Sequence, residues 1–279
     1  MADIGDPRVQ PALHAMLAGD LDGLQVALDA DPEIIGISWG ENTLLEWVTQ
    51  PPHGISEGIA AVLIANGSRL DRALNLAGCW NLPDLCVQLL AAGADASVRA
   101  GENITPLESA VMHGSTKSAD VLATHGLHRP SLWLAAATGQ PARVLEWVAP
   151  DGQLLQPPGP YRPNLADVGH PPGEAATDDP AEIIGEALVF AGANNRMEVV
   201  DYFVAGGADI NARPYLSTTA LHLAILFRNP DAVTGLLERG AARDILDGRY
   251  NSDARGWAEA CINDNPASHR VAELITTAT

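Results

Sequence analysis

With 279 residues the chain has room for one or two globular domains, or for about eight helical repeats. Its formal charge of −19, from 35 acidic against 16 basic residues, argues against nucleic acid and against an anionic membrane surface, since both need clustered Lys and Arg. Hydrophobic content of 47% with only 5% aromatic residues describes a core of Ala and Leu, suited to closely stacked helices.

The N-terminal MADIGDPRVQ has neither a basic nor an apolar targeting segment, and nowhere do 18 apolar residues run together, so a reducing cytoplasm is the expected location. Cys79, Cys86 and Cys261 lack metal-type spacing and read as buried thiols.

Along the chain, Gly93 and Gly126 lie 33 residues apart, as do Gly207 and Gly240, while Gly67 and Gly152 each stand 26 residues from their neighbour in this series. A 33-residue period ending in glycine predicts stacked helical hairpins. Registering the copies predicts hairpins at 7–36, 41–68, 71–98, 103–128, 129–152, 181–209, 217–242 and 252–277, with capping units at both ends. The clearest runs from Thr219, an N-cap, through Leu221, Leu223 and Ala224, a break at Asn229-Pro230, and a second stripe of Val233, Leu236 and Leu237. Contracted glycine spacing predicts a missing β-hairpin finger ahead of Asp71 and another ahead of Arg129.

TPLESA, TALHLA and GADIN carry a resemblance to the ankyrin repeat, whose pattern is Thr-Pro-Leu-His-x-Ala followed by Gly-Ala-Asp-x-Asn. The whole chain is similar to bacterial ankyrin repeat domain-containing proteins. The resemblance implies an all-α, ankyrin-type helical-hairpin solenoid that recognises a protein on its concave face. It also implies a structural role for His222, at the pattern's His position. Aligned copies hold Leu13, Glu46, Asn75, Glu108, Trp133, Val189 and Gly256 there.

Residues 153–180 exceed the repeat and hold seven of the twenty prolines, so they cannot continue a helix. This segment divides the chain into blocks 1–152 and 181–279. It reads either as a passive linker or as a flap over the concave face that supplies Tyr161, Arg162, Asp167 and His170.

Chemistry-bearing motifs are sparse. Glu46 and Glu108 stand two repeats apart, ~16–20 Å at ~8–10 Å per helix spacing, too far for paired acid–base catalysis. His125 and His128 have no third metal ligand nearby, no glycine loop cradles phosphate, and no cofactor is expected. Trp39, Trp80, Tyr215 and Tyr250 fall near turns, with Tyr215 and Tyr250 at equivalent finger positions, whereas Trp47, Trp147 and Trp257 read as core.

The leading expectation is a cytoplasmic interaction scaffold. Its partner, favoured if it carries a basic patch, would meet Trp80, Glu108, Trp133, Tyr161, Arg162, Tyr215 and Tyr250. The alternative is a small-molecule binder or unusual enzyme, with Glu108, Asp167 and His170 as the catalytic group under the insertion.

Overall fold

A computed structural model describes residues 6–38, 42–50, 56–99, 104–126, 129–170 and 174–277. Sixteen α-helices pair into eight antiparallel hairpins among these residues. The first four are α1 (Gln10–Ala18) with α2 (Leu21–Ala30), α3 (Leu44–Val48) with α4 (Glu57–Ala65), α5 (Asp71–Cys79) with α6 (Pro83–Ala91), and α7 (Pro106–Met112) with α8 (Thr116–Ala123). The next four are α9 (Leu132–Ala137) with α10 (Pro141–Trp147), α11 (Pro180–Ala193) with α12 (Met197–Ala205), α13 (Ala220–Leu226) with α14 (Pro230–Glu238), and α15 (Ala254–Cys261) with α16 (Pro266–Thr276).

Local signals set these boundaries. Pro83, Pro141, Pro230 and Pro266 each open a second helix, where a missing N–H is no loss. Gly93 and Gly240 close hairpins in the left-handed region, with φ of 96° and 86°. Thr105 and Thr219 cap their helices, accepting from the backbone N–H of Glu108 and His222. Glu46 and Glu108 reach back in turn, each accepting from the N–H of Thr43 or Thr105 at 2.7 Å. Both glutamates, and His222, therefore serve the first turn of their own helices.

No strand forms among the described residues, and the described parts of the fingers are irregular turns. The connectors at 66–70 and 124–131 are short beside those at 92–105, 206–219 and 239–253, as the contracted glycine spacing requires. The odd-numbered helices form an inner row and the even-numbered an outer row. The inner row stacks from α5 to α15, with α9 directly on α11, so the core continues past the insertion. Outer packing runs from α2 to α8 and again from α10 to α16.

At the far ends of the inner helices the array curls tightly. Asn194, ending α11, donates its Nδ2 hydrogen to the Val111 carbonyl of α7 at 3.2 Å. Arg196, entering α12, bonds the Ala137 carbonyl at 3.1 Å and Asp120 of α8 at 2.5 Å. The bonds to Val111 and Asp120 reach over the short α9–α10 hairpin and draw its neighbours together, while the bond to Ala137 ties α12 to α9.

The insertion on the inner face, a candidate binding site

Among its described residues, the insertion is a strap lying along the inner helices. Its prolines have no N–H to satisfy, yet their carbonyls remain acceptors, and the strap binds through them. Trp147 donates its indole hydrogen to the Pro157 carbonyl at 3.1 Å, and the Leu132 amide bonds the Pro158 carbonyl at 3.0 Å. The Trp133 indole bonds the Tyr161 carbonyl at 3.1 Å, and the Tyr215 hydroxyl the Pro163 carbonyl at 2.5 Å. Gly159 makes the close passage possible. Its φ is 114°, and a Cβ there would stand 2.7 Å from the Pro130 carbonyl oxygen. Beyond it, a 3₁₀ turn at Leu165–Val168 buries Leu165 and rests on α7.

Two charged clusters fasten the strap. In one, Glu108 is 0% exposed and accepts from Arg129 Nε at 2.8 Å, with a second bond from the other arm of the guanidinium. Arg129 also lies over the Tyr161 ring, 4.2 Å from its centroid, and Tyr161 donates its hydroxyl hydrogen to Asp167 at 2.6 Å. The insertion thus closes over Glu108, but the carboxylate there is paired and capped rather than presented as a free acid or base. Burial pushes the Tyr161 hydroxyl well above the usual phenol range, so it stays a donor.

In the other cluster Arg162 donates from Nε to Glu186 at 2.5 Å, and its remaining nitrogens reach the Thr177 carbonyl at 2.7 Å and Glu182 at 3.5 Å. The same guanidinium sits 5.0 Å from the Tyr215 ring centroid. Glu186, 1% exposed, has its carboxyl pushed up to about 7 by burial, with Arg162 pulling the other way.

These contacts place the candidate residues unevenly. Trp133 is 0% and Tyr215 6% exposed, so both are structural anchors for the strap, not surface contacts. This corrects the expectation of a row of exposed finger aromatics, and Glu108 likewise faces no solvent. The physical reason is the strap itself, which occupies the face where a partner was expected to meet them. Tyr161, Arg162, Asp167 and His170 are half-buried within it. Trp80 is 44% exposed, but it ends α5 at the turn side, away from the fingers. Tyr250 remains, 52% exposed on the finger ahead of α15.

That finger is rigid. Asp247 is buried and accepts from the backbone N–H of Arg249 (2.7 Å), Tyr250 (2.8 Å) and Ser252 (2.9 Å), and from the Trp257 indole (2.8 Å). These donors outweigh burial and hold its carboxyl below the usual range. Tyr250 stacks edge-on to Trp257 at 5.5 Å, and Leu246, in the same finger, is also exposed.

A cleft of about 490 Å³ opens where the strap leaves the array, between Val148, Ile184, Tyr202, Phe203 and Ala212. Trp47 is partly buried against the core, and Trp147 and Trp257 are buried in it. Trp39 and His128 lie outside the described residues.

Sequence reasoning missed Arg129 and Glu186, which fasten the strap. Glu186 had a signal, a lone carboxylate inside the apolar run IIGEALVF, where an unpaired charge could not be buried.

A family model described as ankyrin repeats (many copies) matches residues 188–237. No curated protein matches the sequence. Among solved structures, the human ASB11 ankyrin repeat domain is similar, at 16% identity and a TM-score of 0.44, over 95% of this chain and 97% of that one. No helix among the described residues is long and apolar enough to cross a membrane. Ankyrin repeats are generally protein–protein interaction modules. Residues 188–237 match the ankyrin repeat model, and the chain around them, an ankyrin-type helical-hairpin solenoid, is similar to that family.

Proposed function

We propose that the protein is a cytoplasmic interaction module whose protein partner docks on the finger at 239–253, with Tyr250 and Leu246 as anchors. The carrying observation is an exposed aromatic and an exposed leucine on a finger pre-organised by the four bonds to Asp247. An anchor that is already ordered loses little entropy on binding. The −19 charge favours a partner with a basic patch, mainly through association rate. Tyr161 and Arg162 contribute by holding the strap that borders this surface.

Native mass spectrometry on protein recovered gently from its source cells tests the reading. A protein partner should be retained by the wild type and by Trp80→Ala, lost from Leu246→Ala with Tyr250→Ala, and recruited more slowly at high salt. Equal retention by the double variant would reject the finger as the docking surface.

A second reading, a small-molecule binder, is favoured by the strap closing over Glu108. A bound small mass that disappears on deletion of 153–180 would support it.

A further inference from the structure

Most arginines with a described partner meet a carboxylate: Arg8 with Asp6, Arg129 with Glu108, Arg162 with Glu186, Arg196 with Asp120, Arg239 with Asp201. Arg249 does not. Its Nε donates to the Leu216 carbonyl at 2.7 Å, which fixes the guanidinium, while Nη1 and Nη2 are both buried without a partner among the described residues. Asp247, two residues away, is already occupied by three backbone amides and the Trp257 indole. A fixed guanidinium whose two amino groups are buried and unbonded among the described residues requires an acceptor, and its fork matches a carboxylate or phosphate in shape.

The surroundings agree. His170 from the strap lies within electrostatic reach of Arg249 and of His113, which follows α7. His113 Nδ1 is 2.8 Å from the Ser109 carbonyl and donates its hydrogen there, so this ring is spent on its own helix and offers the site no donor. Strap and finger, remote in sequence, therefore set an imidazole and a guanidinium within electrostatic reach of one another in an acidic protein. Tyr215, Asp247 and Tyr250 are the other titratable groups beside Arg249. Burial, then Arg249 and His113, holds the His170 ring below its ordinary range.

We propose that Arg249, with His170 beside it, forms an oxyanion-binding site beneath the strap that takes one carboxylate or phosphate group. The site is independent of the finger-docking reading, because it is built on the buried Arg249 Nη1 and Nη2 whereas Leu246 and Tyr250 are exposed. The anion would tie strap and finger together, so occupancy also steadies the strap.

Calorimetric titration of the full chain at fixed ionic strength, with inorganic phosphate and separately with acetate, tests this. Saturable one-to-one binding of at least one anion is expected, and the tighter of the two identifies the ligand chemistry. Arg249→Gln should weaken it about tenfold or more, whereas Arg255→Gln, the same charge change at an exposed residue paired with Glu259, should leave it within about twofold. Lack of saturation by either anion, or equal weakening in both variants, overturns the site. If circular dichroism shows Arg249→Gln unfolded, His170→Gln carries the test. Weaker binding then supports the site and wild-type affinity rejects it.

Discussion

Gly114, after α7, lies against Phe227, after α13, so closely that a Cβ on the glycine would stand 2.4 Å from the phenylalanine Cβ. Hairpins three steps apart in sequence order touch, and the far end of the inner face is closed by this contact and by Asn194 on Val111. Gly114 has a φ of 70°, so Gly114→Ala meets both strain and overlap. We expect a loss of about 2–4 kcal/mol in urea unfolding. Adding Phe227→Ala should not restore wild-type stability, because the backbone strain remains and a cavity is opened.

The strap's attachment should depend on pH through Glu186. Its folded-state carboxyl titrates at about 7 against an ordinary 4.5, so the folded protein binds this proton more tightly than the unfolded chain. The stabilisation is fully present below pH 4.5 and is lost as pH rises through 7. Between those limits the contribution is on the order of 2–3 kcal/mol. Comparing thermal unfolding of the wild type and Glu186→Gln at pH 5 and 8 isolates this group from the other carboxylates. The wild type should fall further than the variant over that interval.

Removing one side of the Arg129–Glu108 pair should cost more than removing both. Glu108→Ala leaves a guanidinium beneath Tyr161 without its carboxylate and frees the Thr105 amide, a loss of roughly 3–5 kcal/mol. Arg129→Ala in that background should add little. A double-mutant cycle by chemical denaturation measures the coupling, and additive losses would show that the pair does not act as a unit.

Trp133→Phe keeps the ring and removes the donor to the Tyr161 carbonyl, at a cost of about 1–3 kcal/mol. Limited proteolysis should then cut within 153–180 faster than in the wild type, with the helical repeats cut no faster.

The repeat architecture was legible because it is written locally. Glycine spacing, first-turn Thr and Pro, and apolar stripes each act within a few residues, and all eight hairpins appear at their expected places. The two shortened connectors follow from the same count. What could not be read was where the strap goes, because proline carbonyls bond whichever donors the tertiary fold brings near. Trp133 and Tyr215 illustrate this. Their positions in sequence suggested a groove and a finger, but Tyr161 and Pro163 arrive from the insertion to cover them. The first-turn position of Glu108 was legible from the aligned copies, whereas its ion pair with Arg129 depends on packing that no local pattern records.

The most direct test of the closed inner face is hydrogen exchange at the indole N–H groups by ¹⁵N NMR. Trp133 and Trp147 bond strap carbonyls and should exchange slowly, with Trp80, 44% exposed, as the fast reference. Deleting 153–180 should abolish protection at both while the repeats stay folded. Exchange of Trp133 and Trp147 as fast as Trp80 in the intact chain would contradict the account, because the strap would then not lie on the inner helices.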